Sequence, residues 1–337
     1  MSSIDRNSLP SSMGRFKYAF IVTVNNSYLF SLNAIMNAQE VAGTQANFEI
    51  IHGEVEPKYI EESKKAFDFD VIWTPRNEYH EKYSSKVKYV NYFSYKYYRA
   101  LEVADKYDAV CIIDADLFMY TNVNKYFEMA AKENKIITAR NVRSGETNES
   151  GKLLDKWTLG NPDTLTWGKN VWYLADFPIF FNPKQRKKLI EDWIDFHSSP
   201  VPEGYRLESV QPDGSWNRSL CKNLKSRDEV IPLDGELWVA DRNYTKNYVE
   251  KKDNKLFFIN GPNIGQQINA IHNRWWQPGR CCAETKRMPR NSEYFINTLK
   301  SMNTIKNFMD EFNQRKLSQY VPVGIKGQLT GEESDYK

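Results

Sequence analysis

Between residues 17 and 119, four short apolar runs alternate with three segments of helical character, and this alternation restricts the fold more than any other feature. "KYAFIVTVNN" (17–26) is an apolar run closed by Asn25-Asn26, as expected of a strand entering a turn. "SYLFSLNAIMNAQEVAG" (27–43) places Leu29, Leu32, Ile35, Met36 and Ala38 at helical spacing and stops at Gly43. "NFEIIHGEV" predicts a second strand, "EPKYIEESKKAF" a charged helix, and "FDVIWTP" a third strand stopped by Pro75. "NYFSYKYYRALEVADKY" (91–107) carries Phe93, Tyr97, Ala100, Leu101 and Ala104 along one helical side, and "DAVCIIDADLFM" (108–119) predicts the fourth strand. Strands alternating with helices, and few hairpin signals, specify an α/β domain with a mainly parallel sheet.

Beyond residue 126 the pattern loosens. "KIITARNV" and "DFPIFFNP" predict strands, and "KQRKKLIEDWIDFH" a helix. Residues 144–175 and much of 200–290 are expected as loop with scattered aromatics. "SEYFINTLKSMNTIKNFMDEFNQ" (292–314) spaces Phe295, Leu299, Met302, Met309 and Phe312 for one helical face. The expected organisation is a flexible stretch over 1–14, a catalytic domain over 15–290, a helix within 291–320 and a disordered tail over 321–337.

Composition bounds the function. Hydrophobic residues at 41% and charged residues at 26% are ordinary for a globular chain of 337 residues. The net charge of +3 is too small to argue by itself for nucleic acid. The first residues, "MSSIDRNSLPSSMGRFKY", lack the apolar centre of a signal peptide, and no apolar run reaches spanning length. Four cysteines, with Cys281 and Cys282 adjacent, show no metal-knuckle spacing. These features predict a cytoplasmic protein with reduced thiols and no membrane span.

The fourth strand ends unusually. Val110, Cys111, Ile112 and Ile113 suit a buried strand, yet the run closes in Asp114-Ala115-Asp116. A carboxylate beside a core needs a partner or a shifted pKa. On an extended chain, residues two apart share a face, so a positive group is expected between these two. In parallel α/β sheets ligands bind beyond the carboxyl ends of the strands, which is where this triplet falls. A bare D-x-D is equally an acidic turn after a strand.

The order of a basic helix, a "YD" turn, an apolar strand and D-x-D in "YKYYRALEVADKYDAVCIIDADLFM" resembles GT-A fold glycosyltransferases, and within them the glycogenin-like and bacterial galactosyltransferase family. The resemblance implies a Rossmann-like, mainly parallel sheet with flanking helices and a C-terminal helical extension. It implies transfer of a sugar from a nucleotide-diphosphate donor, a UDP-sugar, to a hydroxyl acceptor, with retention of anomeric configuration. Asp114 and Asp116 would hold Mn²⁺ or Mg²⁺, hard cations suited to carboxylate oxygens. The family completes its metal site with a histidine in His-x-x-Gly-x-x-Lys-Pro-Trp; here "AIHNRWWQPGR" offers His272. The glycine is missing, the spacing to proline is one shorter, and Gln277 stands for the lysine. The lysine's diphosphate role does not carry over, so Arg274 and Arg280 become the local cations beside Gln277.

The same resemblance places the nucleotide sugar on Thr23, Val24, Asn25 and Asn26 at the end of the first strand, with Ala115 near the ribose. Tyr28 stacks on the base or packs at the helix start. Lys96 and Arg99 contact phosphate or base, or form a solvated basic face. "LADFPIFFNP" partly matches the family's sugar-contacting strand, with Asp176 nearest in place. "QPDGSWNRSL" is similar to its "DQDxLN" helix start and puts Asp213 and Asn217 near the sugar, although Asp213 also suits an N-cap. Asp176 or Asp213 is expected to stabilise positive charge at the anomeric carbon. Trp216, Trp275 and Trp276 are core or a sugar platform.

Three rivals remain. A haloacid-dehalogenase phosphatase wants threonine two residues after the second Asp, where this chain has Phe118. A carbohydrate-binding protein without activity has no need of Asp114, Asp116 and His272 together. For the acceptor, a carbohydrate hydroxyl is the leading expectation and a DNA base the minority one, with "KQRKK" (184–188) and "RCCAETKRMPR" (280–290) available to meet phosphates.

Overall fold

A computed structural model of the chain describes residues 16–24, 29–53, 55–83, 94–115, 117–139, 176–198, 212–233, 249–252, 255–258, 265 and 267–272. Its core is a seven-stranded sheet in the order β3-β2-β1-β4-β7-β6-β8. The strands are β1 (Tyr18–Val24), β2 (Asn47–His52), β3 (Val71–Pro75), β4 (Ala109–Ile112), β6 (Ile136–Ala139), β7 (Asp176–Phe181) and β8 (Val230–Pro232). All run parallel except β7, which is antiparallel to both of its neighbours. β1 and β4 lie at the centre and read as almost wholly apolar runs, with only Thr23 polar within Ala19–Val24, because helices cover both faces. The helices are α1 (Leu29–Val41), α2 (Pro57–Ala66), α3 (Arg76–Tyr83), α4 (Tyr95–Glu102), α5 (Asn124–Glu133), α6 (Lys187–Ser198) and α7 (Pro212–Asn223).

Alternation along the strands assigns the faces. Phe20 and Phe180 meet Phe127 of α5 edge-on, with ring centroids 5.3 and 5.1 Å apart. Neighbouring positions face the other way: Glu49 meets Arg99 of α4, and Phe181 lies 6.0 Å from the Trp216 ring of α7. Tyr97 stacks on Trp193 of α6 at 3.5 Å and lies 6.0 Å from Trp216, so aromatic rings join α4, α6 and α7. Gly43 ends α1 as expected. Its φ of 70° is the left-handed value that glycine adopts without strain, and Thr44 N donates to Gln39 O across it at 3.0 Å.

Several boundaries differ from expectation. The fourth strand is not continuous to Met119: it stops at Ile112, and Leu117–Met119 forms a separate strand, β5, paired with β12 (Ala270–His272). The helix expected over 91–107 narrows to α4, with α3 as an unanticipated helix before it. In the region 200–290, expected to be largely loop, the described residues include α7 and several short strands. Besides β8 and β12 these are β9 (Val249–Lys252), β10 (Lys255–Phe258) and β11 (Gln267–Ile268), which form a three-stranded sheet. Asp213 is not an N-cap, because α7 begins at Pro212, a residue favoured in the first turn for lack of an N–H. The expected helix over 292–314 and the stretches 1–14 and 321–337 lie outside the described residues.

α6 and α7 are tied through Asp192. Its buried carboxylate accepts from Lys188 Nζ at 2.8 Å, Lys222 Nζ at 2.9 Å and Asn223 Nδ2 at 2.9 Å. Burial pushes the Asp192 pKa up, but the three donors overcome it and hold the group below the ordinary 3.8. A carboxyl whose folded pKa is depressed contributes stability above its unfolded pKa and loses it as pH falls through the folded one. Asp192→Asn is therefore expected to destabilise the chain near neutrality and to flatten the fall in melting temperature below about pH 4. An acid profile parallel to the parent's would contradict this coupling.

Candidate active site

The site follows from topology. The chain leaves β1 toward β2 and β3 on one side and returns to β4 on the other, so a crevice opens between the carboxyl ends of β1 and β4. Ile21 is registered with Ile112, and Ile113 N donates to Ile21 O at 3.0 Å. Thr23 and Val24 therefore reach the same edge as Asp114 and Ala115. Gly53 N donates to Val24 O at 2.9 Å, which holds the end of β1 against β2. Thr23, Val24 and Ala115 are all buried.

Asp114 sits in a turn and not on an extended strand, since Leu117 N donates to Asp114 O at 3.1 Å. The expectation that the two acids share a face because the chain is extended is thus corrected. Asp114 has a positive partner in Lys96, whose ammonium forms an ion pair with Asp114 Oδ1. The Lys96 side chain is 1% exposed and that of Asp114 22%. Lysine is almost never buried this fully without a charged or polar partner.

Arg99, one helical turn further along α4, lies away from the edge. Its Nη2 and Nε donate to Glu49 Oε2 at 2.8 and 3.2 Å, and Nη1 reaches Glu102 at 3.3 Å. Glu49 is fully buried and also accepts from Lys106 Nζ at 2.9 Å and Tyr107 OH at 2.7 Å. Burial and the Glu49 carboxylate push the Tyr107 pKa up, so the hydroxyl keeps its proton and donates. Of the two basic residues read together from the sequence, Lys96 lies at the carboxyl edge and Arg99 fastens α4 to β2.

The pairing of β5 with β12 brings a distant segment to the triplet. Leu117 is registered with His272 and Met119 with Ala270, so the His272 position lies opposite the residue that follows Asp116. Gln39 Nε2 donates to Met119 O at 2.8 Å while Gln39 Oε1 accepts from Thr44 Oγ1 at 2.7 Å, so α1 braces β5. Asp176 opens β7; because that strand is antiparallel and Ile179 pairs with Ile112, its first residue belongs to the carboxyl edge. Asp213 lies in the first turn of α7 and Asn217 one turn on, and α7 leads through Arg227–Glu229 into β8, parallel to β6. Trp216 is wholly buried among aromatic rings and belongs to the core. Asn25, Asn26, Tyr28, Asp116, Arg274, Trp275, Trp276, Gln277 and Arg280 lie outside the described residues.

His52 was not anticipated. It ends β2 at the same edge, where Nδ1 lies 2.6 Å from Gly53 O and the ring meets Trp73 edge-on at 5.5 Å. A carbonyl only accepts, so Nδ1 carries the proton; burial lowers the His52 pKa and favours this neutral form. The only sequence signal was its place at a strand end beside glycine.

Among the described residues no cluster of three His, Cys, Asp or Glu side chains gathers at one point. The donor set nonetheless suits a divalent cation: a partly exposed carboxylate at Asp114, a second acid two residues on, and a histidine on the strand paired beside them. Among the described residues no helix is long and apolar enough to cross a membrane.

No family model matches the sequence, and no curated protein matches it. The solved structure of the bifunctional glycosyltransferase WbbM is similar at 14% identity, covering 91% of this chain and 52% of that one, with a TM-score of 0.50. Galactosyltransferase LgtC in complex with donor and acceptor sugar analogues aligns at 12% identity over 85% of this chain and 97% of its own, with a TM-score of 0.47. Mouse xyloside xylosyltransferase 1 aligns at 11% identity over 77% and 99%, with a TM-score of 0.44. At such identities the likeness speaks of fold. The mixed α/β sheet flanked by helices is of the GT-A glycosyltransferase type, and the likeness to WbbM carries that statement.

Proposed function

We propose that this chain is a divalent-metal-dependent glycosyltransferase that moves a sugar from a nucleotide-diphosphate donor, a UDP-sugar, to a hydroxyl acceptor with retention. The observation that carries the reading is the register of β12 on β5, which lines up His272 with Leu117 directly after the D-x-D turn. A random acidic turn has no reason to recruit a histidine-bearing strand from about 150 residues away to the ligand edge of a parallel sheet. Mn²⁺ or Mg²⁺ on Asp114, Asp116 and His272 would act as a Lewis acid toward the leaving diphosphate, a contribution of several kcal/mol.

The chain's own residues supply the rest. Thr23, Val24 and Ala115, at the carboxyl ends of β1 and β4, are assigned to the base and ribose. In sequence, Asn25, Asn26 and Tyr28 follow the end of β1 and are assigned to the nucleoside, and Arg274, Gln277 and Arg280 follow His272 and are assigned to the diphosphate. As the glycosidic bond breaks, positive charge develops at the anomeric carbon. Asp176 or Asp213 stabilises it, and Asn217 holds a sugar hydroxyl. The acceptor is a carbohydrate or similar small hydroxyl compound in preference to DNA, because each described cation of the basic run at 184–188 has an acidic neighbour in this chain. Lys184 pairs with Asp105, Arg186 with Glu229, Lys187 with Glu191 and Lys188 with Asp192.

The test is release of nucleoside diphosphate from a panel of UDP-, GDP- and CMP-sugars with Mn²⁺ and with EDTA. Metal-dependent hydrolysis of at least one UDP-sugar is expected. Metal-independent turnover, or none with any donor, would remove the reading.

A further inference from the structure

We infer that Lys96 is a positioning residue that keeps Asp114 from binding metal on its own, so that the cation is accepted only with the donor diphosphate. This rests on the glycosyltransferase reading and concerns what the site does before the donor arrives. The Lys96 ammonium is buried and contacts Asp114 directly, while the carboxylate is partly open to the crevice. The pair is held firmly because α4 is fixed around it. Ser94 Oγ lies 2.7 Å from His197 Nε2, Tyr97 stacks on Trp193, and Arg99 is bound to Glu49. The backbone that carries Lys96 is thereby anchored on both sides of it, and the buried side chain has little space to leave Asp114.

A divalent cation approaching Asp114 therefore meets a fixed positive charge within hydrogen-bond reach of its own ligand. Inside a protein, where screening is weaker than in water, that repulsion is large. A nucleoside diphosphate brings negative charge to the metal and offsets it. Lys96 thus turns a pair of acids that would otherwise take up free metal into a site that fills only with donor present. It also keeps Asp114 in place in the meantime.

The experiment measures Mn²⁺ binding to the full chain by electron paramagnetic resonance of the free ion, without nucleotide and with saturating UDP. Lys96→Met removes the charge and keeps the length; Lys96→Gln is the second variant should the methionine protein fail to fold, and Lys96→Arg retains the charge. Without UDP, Lys96→Met or Lys96→Gln is expected to bind Mn²⁺ at least about tenfold more tightly than the parent, and Lys96→Arg to stay near it. The enhancement of Mn²⁺ binding by UDP is expected to shrink by the same factor. A merely structural lysine would show unchanged or weaker binding on removal, and that result overturns the inference. If the parent binds no Mn²⁺ even with UDP, the glycosyltransferase reading fails first. UDP-dependent binding in the parent together with unchanged Lys96→Met affinity sinks the lysine's role alone.

Discussion

Asp116→Asn is expected to leave the fold intact and to reduce Mn²⁺-dependent donor cleavage by about a hundredfold to a thousandfold. Asparagine keeps the size of the side chain but removes the negative charge that a hard cation requires. The metal's stabilisation of the leaving diphosphate amounts to several kcal/mol, and each 1.4 kcal/mol lost costs about tenfold in rate. His272→Ala is expected to lose less, because a neutral imidazole contributes less to holding the cation than an anion does. Release of UDP by each variant beside the parent, with a melting curve to establish folding, decides it. Parental, metal-dependent turnover in Asp116→Asn would reduce the D-x-D to an acidic turn.

Glu49→Leu is expected to cost about 3 kcal/mol of stability, among the largest losses available to one substitution outside the apolar core. The Glu49 side chain is 0% exposed, and leucine would leave Arg99, Lys106 and Tyr107 facing it without their acceptor. Removing one partner of a buried ion pair typically costs about 3–5 kcal/mol. The lower value applies because Lys106, with 30% of its side chain exposed, regains water. Glu49→Gln, which keeps an acceptor oxygen, is expected to lose less. Since Arg99 shares α4 with Lys96, the damage should reach the site as well: the leucine variant is expected to bind UDP more weakly even where it remains folded. Urea unfolding measures the first effect and UDP titration the second. A Glu49→Leu protein as stable as the parent would mean that α4 is held by its aromatic contacts alone.

Much of this architecture could be read from the chain because parallel strands buried on both faces carry almost wholly apolar runs. Phe20 to Val24 and Val110 to Ile112 could hardly lie elsewhere than at the centre. Gly43 marked the end of α1 for the stereochemical reason seen in its φ. The break after Ile112 was hidden, since Leu117 and Met119 continue the apolar pattern and only their pairing with β12 takes them out of the main sheet. α3 was missed because "RNEYHEKY" has no apolar stripe, and Tyr79 alone is buried among its described side chains. A positive partner for a carboxylate at this strand end was expected on electrostatic grounds. Which residue supplied it was not legible, because Lys96 and Arg99 lie three apart on one helix and only the buried Glu49 separates their roles. A long-range carboxylate partner leaves no local signature.

On the proposed function, the crevice between β1 and β4 binds a nucleoside diphosphate through a divalent cation. Calorimetric titration of the unsubstituted chain with UDP, in Mn²⁺ and again in EDTA, tests it most directly. Saturable binding of one UDP in Mn²⁺ that disappears in EDTA is expected. Equal affinity in both conditions, or no binding in either, would contradict it.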